Sequence, residues 1–403
     1  MESLKINKID KTVHGNIQIT GSKSETNRLL ILQQFYPNLK IENISNSDDS
    51  ELMQKALKSN SSEINIGHAG TAMRFLTAYF SVKDGAEIVL TGSHRMKDRP
   101  VKILVEALVS LGANIQYLEK EGFPPLKISG KKLEKDFVEI DGNVSSQYIS
   151  ALLLIAPTLK KGLKLKFKGE VTSVPYIKMT LQLLAELGID YVWQDNLIAV
   201  QPKPTIEPKT ALVESDWSSA SYYYSLCALS PNSEITLSSF KKNSLQGDSI
   251  LATIYENLGV STEFNENIIV LKNKQTLNLK PLTLNLINAP DIAQTIAVTC
   301  FGLGIECYLT GLHTLKIKET DRLVALKNEL EKLGGEVKLT NETLFLKPST
   351  KIIENICIAT YDDHRMAMAF APLATKVPIQ IENPGVVSKS YPTFWEDFNQ
   401  ICS

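Results

Sequence analysis

Four times along the chain a leucine-rich helical run stops at a glycine and gives way to two short strands around a tight turn. The segments are "VKILVEALVSLGANIQYLEKEGFPPLKISG", "YIKMTLQLLAELGIDYVWQDNLIAVQP", "SILATIYENLGVSTEFNENIIVLK" and "RLVALKNELEKLGGEVKLTNETLFLKP". In each, apolar residues recur at the helical spacing until a glycine suited to a left-handed helix end, and alternating strands follow. Gly112, Gly188, Gly259 and Gly334 recur about every 75 residues, which is the signature of duplicated helix-plus-hairpin units. Further helical runs lie between them ("SQYISALLLIAPTL", "SSASYYYSLCALS", "IAQTIAVTCFGLG", "HRMAMAFAPLAT"), so the expected repeat is βαββαβ, with helices buried against sheets. At 403 residues the chain exceeds what one hydrophobic core serves, and two domains are expected. A crossing between them is expected near 212–220. The Pro-rich "VQPKPTIEPKT" before it reads as edge strand or linker, because proline cannot donate to a central ladder.

A net charge of −1 offers no global field for nucleic acid or anionic membrane, so any basic site has to be local. The five cysteines fall in the second half and form no CxxC pair, which points away from disulfides and zinc and towards free thiols in a reducing cytoplasm. The opening "MESLKINKIDKTVHG" has no secretory or transit character, and "YISALLLIAPTL" is too short to span a bilayer.

Against that neutral background, cations, hydroxyls and isolated carboxylates gather where loops enter helices. "ITGSKSETNRLLIL" brings Lys23, Ser24 and Arg28, with Ser24 able to cap the helix. "IGHAGTAMRFL" brings Arg74, "TGSHRMKDRPV" brings Arg95, Lys97 and Arg99, and Ser145, Ser146 and Ser173 stand at further helix starts. Asp291 opens "DIAQTIA"; "LKIKETDRL" supplies Lys316, Lys318, Glu319 and Arg322; "YDDHRMAMAF" supplies Asp363, His364 and Arg365; "VVSKSYP" supplies Lys389. Any one of these is met by an ordinary capped or solvated helix start. Together they describe a positive pocket for small substrates bearing phosphate or carboxylate groups. Carboxylates oppose the binding of anions, so Asp291 and Glu319 are expected there for proton transfer. Neither a P-loop nor a GxGxxG dinucleotide turn is present.

The ordered series "GSKS…NR", "AGTAMR", "RMKDRP", "VSSQ", "PD…T.A", "LKIKETDR", "DDHRMAM" and "SK.YP", running through essentially the whole chain, resembles the enolpyruvyl transferases, in the branch that acts on shikimate 3-phosphate. The resemblance implies a two-domain inside-out α/β barrel of six βαββαβ repeats. One domain, residues 1–19 and 216–403, would hold both chain ends, and an inserted domain would span 20–215, with substrates in the cleft between. It implies transfer of the carboxyvinyl group of phosphoenolpyruvate to the 5-hydroxyl of shikimate 3-phosphate, with no metal or organic cofactor, by a cytoplasmic monomer without nucleic-acid or membrane partners. Carried over by position, Lys23, Ser24, Arg28, Ser145, Ser146, Gln147, Ser173, Asp291 and Lys318 would hold shikimate 3-phosphate. Lys23, Gly70, Arg95, Gln147, Arg322, Arg365 and Lys389 would hold phosphoenolpyruvate. Asp291 would be the base at the 5-hydroxyl, and Glu319, helped by Lys23, the acid at the methylene carbon. The herbicide glyphosate, in this family a competitor of phosphoenolpyruvate, would lie against the bare Cα of Gly70.

Three positions depart from the family pattern: His68 where Asn is commoner, Phe75 where Pro is common, and Thr314 where some members use Asn. The sister branch acting on UDP-N-acetylglucosamine uses Lys-Asn early and a reactive loop cysteine. Here Ser24 follows Lys23 and no cysteine precedes Cys227. A protein binding RNA ends with related repeats, or a non-catalytic anion binder, is the reading from another class. Neutral charge, the lack of interleaved basic and aromatic residues, and the Asp291–Glu319 pair argue against it.

Overall fold

The computed structural model describes residues 2–172, 174–274 and 280–402. The chain forms two compact units, one of Met1–Thr20 with Glu214–Ser403 and one of Gly21–Val213. Each unit carries three sheets among the described residues. Four of the six sheets share one plan. In Glu63–Asn65, Glu87–Thr91, Leu126–Ser129 and Asn114–Tyr117, the first two strands run parallel and the last two form an antiparallel hairpin laid beside the second. In the unit with both ends, His14–Ile17 pairs in parallel with Glu234–Ser238, so one sheet is begun before the other unit and completed after it.

The expected repeat order needs correction in one respect. The four-stranded units run strand, helix, strand, helix, hairpin, with both helices ahead of the hairpin instead of on either side of it. A parallel pair needs a crossover helix, which takes up the first helix, and the Leu-Gly helix then leads into the hairpin.

The glycine signals act as read. Gly112, Gly188, Gly259 and Gly334 have φ of 107°, 74°, 83° and 97°, each in the left-handed region that ends a helix without a Cβ clash. The strands show one wet and one dry face; "LKLKFK" of Leu163–Lys168 alternates buried and exposed throughout. Helices such as Trp217–Leu229 and Ala293–Leu303 are buried along nearly their whole length and lie in the core. Their hydroxyls are satisfied helix to helix, with Ser221 3.0 Å from Thr295 and Thr299 donating to Ser225 at 2.7 Å. With their middles buried, the helices present their N-termini for chemistry. Among the described residues no helix is long and apolar enough to cross a membrane.

Candidate active site

In the unit holding both chain ends, three helix starts converge on one guanidinium. Asp321 caps Arg322–Lys332, and Asp363 caps His364–Phe370 by accepting from the Arg365 amide at 2.8 Å. Asp291 sits in the turn Pro290–Ile292 that leads into Ala293–Leu303. Arg322, 2% exposed, stands between them. Its Nε donates to Asp363 at 2.6 Å, one terminal nitrogen donates to Asp291 at 2.9 Å, and the other donates to Glu319 at 2.7 Å. Lys389 reaches Glu319 at 2.5 Å, Arg365 reaches Asp291 at 3.2 Å, and Lys318 lies 3.5 Å from the same carboxylate. Four cations therefore face three carboxylates, leaving the cluster net positive.

These charges set each other's protonation. Burial alone pushes Asp291 up, but Arg365, Lys318 and Arg322 outweigh it and hold the carboxyl well below its ordinary range. Glu319 is likewise pushed up by burial and pulled well below by Arg322 and Lys389. Both carboxylates are ionised. Each is ion-paired to Arg322 itself, because a guanidinium this deep needs carboxylates on its edges.

Asp248, beside this cluster, behaves differently. It is buried, accepts a hydrogen bond from the Ser218 hydroxyl, and has one carboxylate oxygen with no partner among the described residues. Burial, reinforced by Asp291 and opposed by Arg365 and Ser218, pushes its carboxyl up to about 7; Asp216 adds to the rise. The folded state thus keeps a proton that the unfolded chain, with the ordinary carboxyl value of 3.8, releases earlier. Stability attributable to this group falls as pH rises from about 4 through 7. Asp248→Asn removes that cost, so its melting temperature should exceed wild type at pH 8 and match it near pH 4. Equal melting temperatures at both pH values in a calorimetric comparison would contradict the burial argument.

The Gly21–Val213 unit assembles a second set of helix starts. Lys23 opens Lys23–Phe35 and lies 3.7 Å from Asp49 in the first turn of Asp48–Lys58. Gln147, just inside Ser146–Ile155, donates to Thr71 of Gly70–Val82 at 3.1 Å. Ser145 caps its helix by accepting from the Gln147 amide, and Ser146 follows it. Ser173 lies outside the described residues. The helix cap expected from Ser24 belongs by position to Ser22, since the helix begins at Lys23.

Arg28 is turned into this unit. Its guanidinium donates to Thr180 at 2.7 Å, Ser150 at 3.0 Å, the Tyr176 carbonyl at 3.3 Å and the Ser24 carbonyl at 2.7 Å, and lies 5.4 Å from the centre of the Phe75 ring. Phe75, a departure from the family pattern, thus acts as a platform for a buried cation. His68, the second departure, is exposed and 3.9 Å from Asp48, and the third, Thr314, has a buried hydroxyl without a hydrogen-bond partner among the described residues.

Gly70 has a neighbour that sequence reasoning gave no role. A Cβ built there would meet the Arg99 guanidinium at 2.4 Å. Arg74, buried and held by the Gly70 and Pro100 carbonyls at 3.0 Å each, is pulled down to about 10 by burial and then by Arg99. Two like charges share the start of Gly70–Val82, and among the described residues neither has a carboxylate in ion-pair contact. Arg95 is exposed in the short helix His94–Lys97. Asp49, Asp248 and the pairing role of Asp363 also escape sequence reasoning, because each depends on which way a side chain of an ordinary helix start is turned.

Comparison with known proteins gives one answer. Residues 38–398 match the family model described as EPSP synthase (3-phosphoshikimate 1-carboxyvinyltransferase). A 3-phosphoshikimate 1-carboxyvinyltransferase of Bacteroides fragilis is 47% identical over 394 residues, covering 96% of this chain and 95% of that one. One from Haemophilus influenzae is 35% identical over 424 residues, covering 97% of each. The solved EPSP synthase of Acinetobacter baumannii superposes with a TM-score of 0.83 at 20% identity, over 100% of this chain and 98% of its own, a likeness of fold.

Proposed function

The chain belongs to the EPSP synthase family, and from that membership we infer that it transfers the carboxyvinyl group of phosphoenolpyruvate to the 5-hydroxyl of shikimate 3-phosphate, releasing phosphate, with Asp291 and Glu319 moving the protons. The observation that supports these two roles best is the cluster around Arg322: two ionised carboxylates 2.9 and 2.7 Å from a guanidinium, among further cations. Arg322, Arg365 and Lys389, with Gly70, Arg95 and Gln147, are read as the phosphoenolpyruvate ligands. Ser145, Ser146, Ser173, Lys23, Ser24, Gln147 and Lys318 are read as those of shikimate 3-phosphate. Arg28 is the weakest of the carried-over contacts. Four of its five N–H donors are engaged within its own unit, which leaves one for a ligand.

The reaction asks for opposite things at two carbons. As Asp291 accepts the 5-hydroxyl proton, that oxygen bonds to C2 of phosphoenolpyruvate and the vinyl electron pair takes a proton at C3. In the second step C3 returns a proton, the double bond re-forms, and the C2–O bond to phosphate breaks. Glu319 serves C3 in both directions, with Lys23 helping. An ionised Glu319 cannot donate until its cations are drawn away. The carboxylate and phosphate of phosphoenolpyruvate compete for Arg322 and Lys389, and as they succeed burial is left to push the Glu319 carboxyl up, so that it takes up the proton it will deliver. The fixed cations stabilise the charge of the tetrahedral intermediate throughout.

The assay is phosphate release from phosphoenolpyruvate. Release that requires shikimate 3-phosphate is expected; release with UDP-N-acetylglucosamine instead, or none with either acceptor, would contradict the assignment. The same reading takes the chain as a cytoplasmic monomer without a nucleic-acid partner, and light scattering at working concentration should give the mass of one chain.

Gly70→Ala is informative in the same assay. The added methyl first meets the flexible Arg99 fork, so the fold should survive while Arg99 is displaced. The KM for phosphoenolpyruvate should rise about 10-fold or more, in the range by which a single methyl discriminates in a close pocket. Glyphosate inhibition should weaken further, since the longer molecule has less room. An unchanged KM and unchanged inhibition would remove Gly70 from the phosphoenolpyruvate site.

A further inference from the structure

The start of Asp48–Lys58 carries three carboxylates, and only one is turned inward. Asp48 is one-third exposed near His68, and Glu51 is exposed and pairs with Lys55 at 3.4 Å. These two supply the negative charge that a helix first turn favours. The cap is already made by Ser47, whose side chain accepts from the Ser50 amide. Asp49 is needed for neither purpose, yet it is 3% exposed. Burying a carboxylate without a partner is costly, and its one ion pair among the described contacts is to Lys23.

The geometry of that pair is unusual. The Lys23 ammonium stands 3.7 Å from one Asp49 oxygen, inside ion-pair range and outside hydrogen-bond range. The other oxygen is buried with no hydrogen-bond partner among the described residues. Lys23 and Asn27, four apart on one helix face, look towards the start of the second helix, where the Ser50 hydroxyl donates to the Asn27 side-chain carbonyl at 3.0 Å. Asn27 also keeps a buried amide nitrogen without a hydrogen-bond partner among the described residues. A lysine held this way is kept in place while its three N–H donors are not consumed by its counter-ion.

We propose that Asp49 is a positioning residue for Lys23: its buried carboxylate sets where the ammonium stands and leaves its hydrogen bonds for the substrates. The proposal rests on the reading that Lys23 acts at the substrate site. A tight 2.8 Å pair would have to be broken for Lys23 to act. The loose pair needs no such step, and removing it lets the flexible side chain wander from the reacting groups.

The test is a double-mutant cycle on the full chain with phosphoenolpyruvate and shikimate 3-phosphate. Asp49→Asn should lower kcat about 10- to 100-fold, the cost of misplacing a reacting group by roughly an ångström, with a smaller change in either KM. Lys23→Met should cost at least as much, and the double variant should be no slower than Lys23→Met alone. A double variant slower by the product of the two losses would mean that Asp49 acts through the fold and not through Lys23, and would overturn the proposal. So would wild-type kcat in Asp49→Asn. Wild-type kcat in Lys23→Met would instead overturn the underlying reading, and the proposal with it. Should Asp49→Asn not fold, Asp49→Glu keeps the charge but moves it by one methylene. It should still lose kcat on the wild-type background and lose nothing further on Lys23→Met.

Discussion

Asp291→Asn and Glu319→Gln should each give a folded protein that binds shikimate 3-phosphate and turns over about 10²- to 10⁴-fold more slowly than wild type, the usual contribution of a general acid or base. The amides keep the shape and one hydrogen-bonding oxygen of the carboxylates, so the contacts to Arg322 at 2.9 and 2.7 Å persist in weaker form. What they cannot do is take up a proton. Binding should hold or tighten, because each substitution removes a negative charge from a pocket that receives anions. Calorimetric titration with shikimate 3-phosphate beside steady-state rates separates the two effects. Turnover near wild type in both variants would remove these residues from the chemistry and leave them as counter-ions of Arg322.

The second large effect is on stability. Arg322→Met leaves Asp291, Glu319 and Asp363 facing one another without their shared cation. Removing one partner of a buried ion pair costs about 3–5 kcal/mol. The direction with pH follows from the shifts. Asp291 and Glu319 lie well below their ordinary values of 3.8 and 4.5 when folded, so they add stability above those values that is lost as pH falls below them. Wild type should therefore weaken steeply below about pH 4.5. In Arg322→Met the same carboxylates, buried and unpaired, are pushed up instead, so the variant should gain stability on mild acidification from pH 7. Urea unfolding between about pH 2 and 7 reads both slopes. A variant that parallels wild type would show that Arg322 does not set these carboxylates.

Much of this arrangement is legible in the sequence because it is local. The left-handed glycines at 112, 188, 259 and 334, the strand alternation and the polar helix starts are all encoded within a few residues of where they act. Asp291, Lys318, Glu319, Arg322, Arg365 and Lys389, singled out from separate motifs, meet in one ion cluster. Other features depend on distances through space. The sequence "DDSE" reads as a generic acidic helix start, and only the turn of the helix decides that Asp49 and not Asp48 is buried against Lys23. That Arg99 covers Gly70, and that Arg28 points inward over Phe75, are likewise consequences of packing between elements far apart in the chain.

The central claim, that Glu319 passes a proton to the vinyl carbon and takes one back, is tested most directly by NMR in deuterium oxide. With shikimate 3-phosphate and phosphoenolpyruvate present, wild type should place deuterium in the vinyl methylene, because addition makes a methyl group that can return any of its three hydrogens. Glu319→Gln should lose this exchange in proportion to its loss of phosphate release. Exchange continuing at the wild-type rate in Glu319→Gln would contradict the account, since some other group would then be serving that carbon.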